Sequence, residues 1–244
     1  MKIIDAFWEE RNLGVTCYEV IIEDSDTISS IKDSLVSLDK EYIVIKVPTH
    51  LNKINFLLQE NGYKFMETTI NCVNMAELPE LDRVQKRVLD SLIYLEMNDD
   101  FSELFQEIEL NMFEDDRVSI DNHFSREQAN KRYIGWIKDE INKGSQTYKI
   151  CFKNDVVGFF LLRKEDEQTM VAVLGGIYKR FRSFGFGFCM NYLEIVESIK
   201  QNVSRIKTSF STNNRASTSM HFSLNYRLEE QHNVFVKHNT YNEK

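Results

Sequence analysis

The stretch Ile177-Tyr178-Lys179-Arg180-Phe181-Arg182-Ser183-Phe184-Gly185-Phe186-Gly187 constrains this chain most, because it joins a strand-like run to a helical one through a glycine-rich turn. Before it, residues 148–152, 156–163 and 169–177 are β-branched and aromatic runs. They are separated only by Asn154-Asp155 and Lys164-Glu165-Asp166-Glu167, and connections that short predict an antiparallel meander. After it, residues 188–200 set Cys189, Leu193 and Val196 on one helical face. A helix N-terminus leaves backbone N–H groups unpaired and partly positive, so a turn at this place suits a diphosphate. Four of the nine glycines fall between Gly175 and Gly187. Gly185 and Gly187 let amides approach an anion without a Cβ in the way, and Arg182 adds charge or fixes the turn.

The remainder reads as alternating elements. Residues 42–47 form a β-branched strand, 51–59 have helical spacing, Asn61-Gly62 supplies a left-handed stop, and 63–73 return as strand. Residues 92–95 read as a strand. Phe101, Leu104, Phe105, Ile108 and Met112 share one helical face, and Ser125 with Gln128 makes a capping box for a helix that stops at Gly144. Beyond the glycine-rich turn and its helix lie a strand at 205–211, a short helix at 214–224 ended by Asn225, and a strand at 232–237. The predicted fold class is mixed α/β, with a mostly antiparallel sheet flanked by helices. The polar stretch 76–82 around Pro79 marks a boundary between a smaller α/β unit, residues 1–78, and a larger one, residues 79–244. Strand, helix, turn and strand over 42–73 match the order over 205–237, with Asn61-Gly62-Tyr63-Lys64-Phe65 falling on Leu224-Asn225-Tyr226-Arg227-Leu228. Either the first unit is a degenerate half-copy of the second, or two common units match by chance.

With 244 residues, 42% of them apolar and 28% charged, the chain can bury a core throughout. Its 38 acidic residues against 30 basic ones oppose binding to a phosphate backbone, so nucleic acid is not an expected partner. Cys17, Cys72, Cys151 and Cys189 are far apart and read as reduced core thiols. His50, His123, His221, His232 and His238 fall into no metal-binding spacing, so no metal is expected. No stretch is long and apolar enough to span a bilayer and the first residues lack a leader pattern, which predicts a cytoplasmic protein without membrane partners.

Arg182 to Gly187 resembles the Arg/Gln-x-x-Gly-x-Gly/Ala signature of the GNAT superfamily of N-acyltransferases. Ile177 stands where those proteins end the strand that pairs with the pantetheine arm of coenzyme A. Asn213-Asn214-Arg215-Ala216 resembles the family's Asn-x-x-Ala, and Asn225-Tyr226 stands for its Gly-Phe. The tyrosine that protonates the CoA thiolate in the family is replaced by His221. Short matches at residues 8–15 and 62–67 and around Arg132-Tyr133 and Trp136-Ile137 resemble, within the superfamily, the dTDP-fucosamine acetyltransferases.

The resemblance implies acetyl-CoA as co-substrate, without metal, held by Ile177, Tyr178, Arg182, Ser183, Phe184, Gly185, Phe186, Gly187 and Asn214. It implies transfer to a small amine, with a nucleotide-linked amino sugar of surface polysaccharide synthesis as first choice, and leaves a homodimer open. His221 either donates a proton, as an imidazolium of ordinary pKa about 6.5, or only packs against Tyr226. Tyr226 and Tyr178 are the alternative donors. Arg117, Arg132 and Tyr133 are assigned to the acceptor's phosphates or hydroxyls, or else to surface pairing and packing. Glu96, Glu114 and Asp116 stand as candidate bases by location. Two other functions remain: an acyl-CoA-binding module without turnover, and a protein N-acetyltransferase.

Overall fold

A computed structural model describes residues 1–239. The chain opens with β1 (Lys2–Asp5), α1 (Phe7–Leu13), β2 (Cys17–Ile21), α2 (Ile28–Val36), β3 (Tyr42–Pro48), α3 (Asn52–Glu60) and β4 (Lys64–Asn74). It continues with α4 (Arg83–Leu89), β5 (Leu92–Met97), α5 (Ser102–Glu109), α6 (Arg126–Asn142), β6 (Gln146–Phe152), β7 (Asp155–Lys164) and β8 (Thr169–Ile177). A 3-10 helix (Lys179–Phe184), α7 (Phe186–Lys200), β9 (Arg205–Ser211), α8 (Arg215–Ser223) and β10 (Arg227–His238) follow.

The ten strands form one sheet in the order β1-β2-β3-β10-β4-β9-β8-β7-β6-β5. Among the described strands only β2 with β3 and β8 with β9 pair in parallel. The order is symmetrical about the β10/β4 pair, which lies between the parallel pair β2/β3 and the parallel pair β9/β8. Each half therefore lends its last strand to the other, β4 pairing with β9 and β10 with β3. The echo seen in sequence corresponds to β3-α3-β4 and β9-α8-β10. Gly62 (φ 81) and Asn225 (φ 62) both end their helices in the left-handed region, and each is followed by a buried tyrosine, Tyr63 or Tyr226.

Two helical layers cover the sheet. β7 shows why, since its residues are buried on both faces: Phe160 packs with Cys189, Met190 and Leu193 of α7, while Phe159 packs with Leu104, Ile108, Tyr133 and Ile137 of α5 and α6. The capping box of α6 forms as predicted, with Ser125 Oγ accepting from Gln128 N at 3.2 Å and Gln128 Oε1 accepting from Ser125 N at 2.9 Å. The meander is β6-β7-β8. The stretch 76–82 lies between β4 and α4, with the sheet continuous across the two expected units. Three features depart from expectation. β10 begins at Arg227 rather than 232, the glycine-rich turn contains a 3-10 helix, and β1, α1, β2, α2 and α4 had no counterpart in the sequence reading. All four cysteines are free thiols. Among the described residues no helix is long and apolar enough to cross a membrane.

Candidate functional site

β8 and β9 pair from Thr169↔Arg205 to Ala172↔Thr208 and then part, although β8 runs on to Ile177 and β9 to Ser211. Their outer sides stay paired, Ile177 with Gly158 and Ser211 with Thr69. The register of β8 against β7 slips between Leu161 and Leu162, opposite Val173, and such a bulge adds twist where the strands separate. Thr208 Oγ1 donates to Ala172 O at 3.0 Å, at the crotch of the fork. Beyond it, residues 174–177 have no β9 partner, so the backbone offers a sheet edge to an extended ligand. At the open end, Gly185 (φ 79, ψ 6) leads into α7, whose N-terminus no side chain caps.

Gly175 and Gly176 thin the free edge on both faces. A Cβ at Gly175 would come within 2.9 Å of Glu194 Oε1 and 3.0 Å of Met190 Sδ, and one at Gly176 within 2.7 Å of Met112 Sδ. α8 closes the fork from the α7 side. Asn214 Oδ1 caps it by accepting from Ser217 N at 2.9 Å. His221 is buried, stacked on Phe210 at 4.6 Å and edge-on to Tyr226 at 5.1 Å. Its Nδ1 lies 2.8 Å from Ser217 O, which can only accept, so Nδ1 carries the hydrogen and a neutral ring has only a lone pair at Nε2. Burial lowers the imidazole pKa below its usual value. The hydroxyl of Tyr226 is buried with no partner, and burial, reinforced by Glu194, drives its pKa up.

No family sequence profile matches the chain, and no curated protein matches it in sequence. Solved structures do match it. A GCN5-related N-acetyltransferase from Sphaerobacter thermophilus superimposes with a TM-score of 0.62 over 97% of this chain and 75% of its own, at 8% identity. A tandem GNAT protein from the clavulanic acid biosynthesis pathway matches at 0.55 over 93% and 76%, also at 8% identity. A GCN5-related N-acetyltransferase from Kribbella flavida matches at 0.55 over 92% and 82%, again at 8% identity. This chain has the GNAT fold.

Near the fork, Ile177, Phe186 and Tyr226 share one buried cluster with α7, Gly187 lies against Met220 of α8, His221 stands edge-on to Tyr226, Asn214 caps α8, and Gly185 leads into α7. The fork does not gather the Tyr178 side chain, whose ring is buried on the opposite face with Leu104, Ile108 and Phe159. Arg182 is turned back onto the backbone, Nε reaching Ile177 O at 3.5 Å and Nη2 bonded to Met112 O, so it fixes the loop. Ser183 and Phe184 belong to the 3-10 helix, where Phe184 is exposed and stacked on Phe186 at 5.6 Å.

On the other face the acceptor residues expected from sequence take different partners. Glu9, fully buried, accepts from Arg117 Nη2 at 2.7 Å and Arg132 Nε at 2.8 Å. The two guanidinium groups thus tie α1, α6 and the α5–α6 loop together, which is the ion-pairing alternative, here buried rather than at the surface. Tyr133 OH donates to Asp116 Oδ2 at 2.8 Å. Burial of Asp116 is outweighed by Arg132 and by hydrogen bonds from Ser119, Tyr133 and the Val118 N–H, which hold its carboxyl below the usual range. Glu96 lies on β5, at the edge of the sheet, and is exposed.

Sequence reasoning missed two carboxyls. Glu67 on β4 is 3% exposed, hydrogen-bonded by Ser211, with Oε2 unpartnered and its pKa raised by burial against the pull of Arg117. Glu194 on α7 is also 3% exposed, has no hydrogen-bond or ion-pair partner among the described residues, and burial pushes its pKa up to about 8. The available signal was a lone carboxyl on the buried side of an apolar-patterned element.

The fold also assembles a trio that sequence spacing hid. Asp121 Oδ1 lies 2.9 Å from His123 Nδ1 and Oδ2 lies 2.7 Å from His238 Nε2, the three donor groups falling within 4.8 Å of one another. The two imidazoles are stacked 3.8 Å apart at 12°. Nitrogen lone pairs in two parallel planes point poorly at one ion held about 2.0–2.1 Å from each nitrogen. The trio is therefore a hydrogen-bonded clamp between the α5–α6 loop and the end of β10.

Proposed function

We propose that this protein is an N-acyltransferase that moves an acetyl group from acetyl-CoA to the amine of a small acceptor. The observation that carries the reading is the fork between β8 and β9 with the uncapped N-terminus of α7 at its mouth. A pantetheine arm is an extended chain with two amides, which suits the free edge at residues 174–177. Its diphosphate suits the amides and partial positive charge of the helix end, and Gly185 removes the side chain that would stand over them. The amine attacks the thioester carbonyl held in the fork, so much of the acceleration comes from proximity. Glu67, on the face covered by α5 and α6, is the carboxyl best suited to take the proton that the nitrogen loses. The finer reading, an amino sugar on a nucleotide as in dTDP-fucosamine, is supported by the short sequence matches alone.

A second reading, an acyl-CoA-binding module without turnover, is favoured by one observation: His221 is neutral and its Nδ1–H is engaged, so the family's usual acid position holds no ready proton donor. Calorimetry with CoA and assay of thiol release from acetyl-CoA across an amine panel separate the two. Binding with release supports the enzyme, binding without release on any amine supports the module, and absence of binding overturns both. Gly185→Val is expected to weaken CoA binding about tenfold or more by removing one phosphate approach. In the free protein a Cβ there meets nothing within 4 Å, so the substitution carries only the strain of a positive φ, and circular dichroism should show an intact fold.

A further inference from the structure

Glu194 is a carboxyl that the free protein leaves without a partner. It projects from the same face of α7 as Met190, and both abut Gly175. Gly175 belongs to the segment of β8 whose β9-facing edge is free. The charge of Glu194 would act on the phenol of Tyr226, which is buried with its hydroxyl unpartnered and whose pKa Glu194 helps to raise. A carboxyl without an ion pair and an unsatisfied phenol therefore lie together beside the fork, and an unsatisfied buried group in a folded protein calls for a partner that binding supplies. His221, which stands nearby, has spent its hydrogen on Ser217 O.

We propose that Glu194 is the proton donor to the sulfur of the departing CoA thiolate, which it meets through the gap between β8 and β9. The assignment rests on the acetyltransferase reading above. As the amine nitrogen bonds to the carbonyl carbon, the carbon–sulfur bond breaks and the Glu194 O–H proton passes to sulfur, leaving CoA thiol and a Glu194 carboxylate. The proton lost by nitrogen leaves through Glu67 to solvent, and solvent reprotonates Glu194 once CoA has gone, so no net proton is consumed. Burial favours the neutral acid that this step needs, and a pKa of about 8 lies near that of an ordinary thiol, about 8.5, which makes the transfer almost level in energy. Gly175 keeps the strand thin enough for carboxyl and thiol to meet.

Glu194→Gln keeps size and neutrality while removing the transferable proton. Expected results are CoA affinity near wild type and thiol release from acetyl-CoA, with hydroxylamine as the amine, lowered about a hundredfold or more. The ultraviolet absorbance of the bound CoA thiolate should also appear at a pH lower by about one unit or more, because an ionised Glu194 no longer opposes the second negative charge. Gly175→Ala, which keeps the carboxyl but crowds it, should lower release while the protein stays folded, since the atoms its Cβ meets are flexible side-chain ends. A purely structural Glu194 would leave the thiolate titration unmoved. Thiol release unchanged in Glu194→Gln, or identical thiolate titrations, overturns the assignment, whereas wild-type protein that binds no CoA overturns the reading beneath it.

Discussion

Two carboxyls with opposite surroundings set opposite pH dependences. Burial raises Glu194 from 4.5 to about 8, so the folded state keeps a proton there that the unfolded chain releases. Its contribution to stability is whole below the unfolded value and is lost as pH rises through the folded one. Glu194→Gln should therefore be more stable than wild type at pH 7 by about 3 kcal/mol, with the gap closing near pH 4–5, read as urea midpoints. Asp121 runs the other way. Burial would raise it, but the bonds to His238 and to the His123 N–H and ring lower it from 3.8 to about 2. That stabilisation is present above the unfolded value and fades as pH falls through the folded one. Asp121→Asn should lose about 2 kcal/mol at pH 7 and nearly nothing relative to wild type at the acid end. Residue fates of this kind were poorly legible in the sequence. Arg117 and Arg132 look like surface cations until Glu9, more than a hundred positions away, is seen between them. The tautomer of His221 depends on a carbonyl one turn earlier and on burial that no spacing announces. The turn at Gly185 was legible, because a glycine with φ 79 between a strand and a helix is a property of the backbone.

At the scale of elements, whatever had a strong period or a cap could be read. Ser125 and Gln128 announce the start of α6, and Ser125→Ala should cost about 1 kcal/mol in thermal or urea unfolding. Asn225→Ala should cost about as much, because alanine resists a positive φ, whereas Asn225→Gly should be close to neutral. The elements that escaped notice are short or weakly marked. β1 has four residues, three of them exposed and one half-buried; α1 has seven, with Ala6 at an N-cap that makes no side-chain bond. The 3-10 helix reads Lys-Arg-Phe-Arg-Ser-Phe, which has no apolar stripe to betray it. The fork itself was legible only by resemblance, since parting of two strands leaves no periodic trace.

For the whole molecule, the internal symmetry stops short of the site. β2 and β3 stay paired over all of β2, from Cys17↔Tyr42 to Ile21↔Lys46, so the first half has no fork. The loop ahead of α2 carries Glu23, Asp24 and Asp26 where the second half carries Lys179, Arg180 and Arg182, and it would repel a diphosphate. Calorimetry should accordingly find one CoA per chain. Exchange of the final strands also makes the halves interdependent. Residues 79–244 produced alone should lack a cooperative unfolding transition, because β10 would lose both neighbours and β9 one of its two. Mixing with residues 1–78 should restore the transition.

The same exchange has a consequence for birth on the ribosome. β3 and β4 emerge early, yet the strand that lies between them is made after every other strand of the sheet. For most of translation the nascent chain thus carries a seam with two exposed edges, each a template for pairing with the wrong partner. Arrival of β10 zips that seam shut in one late event. Holdase chaperones that shelter strand edges should accordingly matter more to the yield of this protein than to that of a sheet assembled in sequence order.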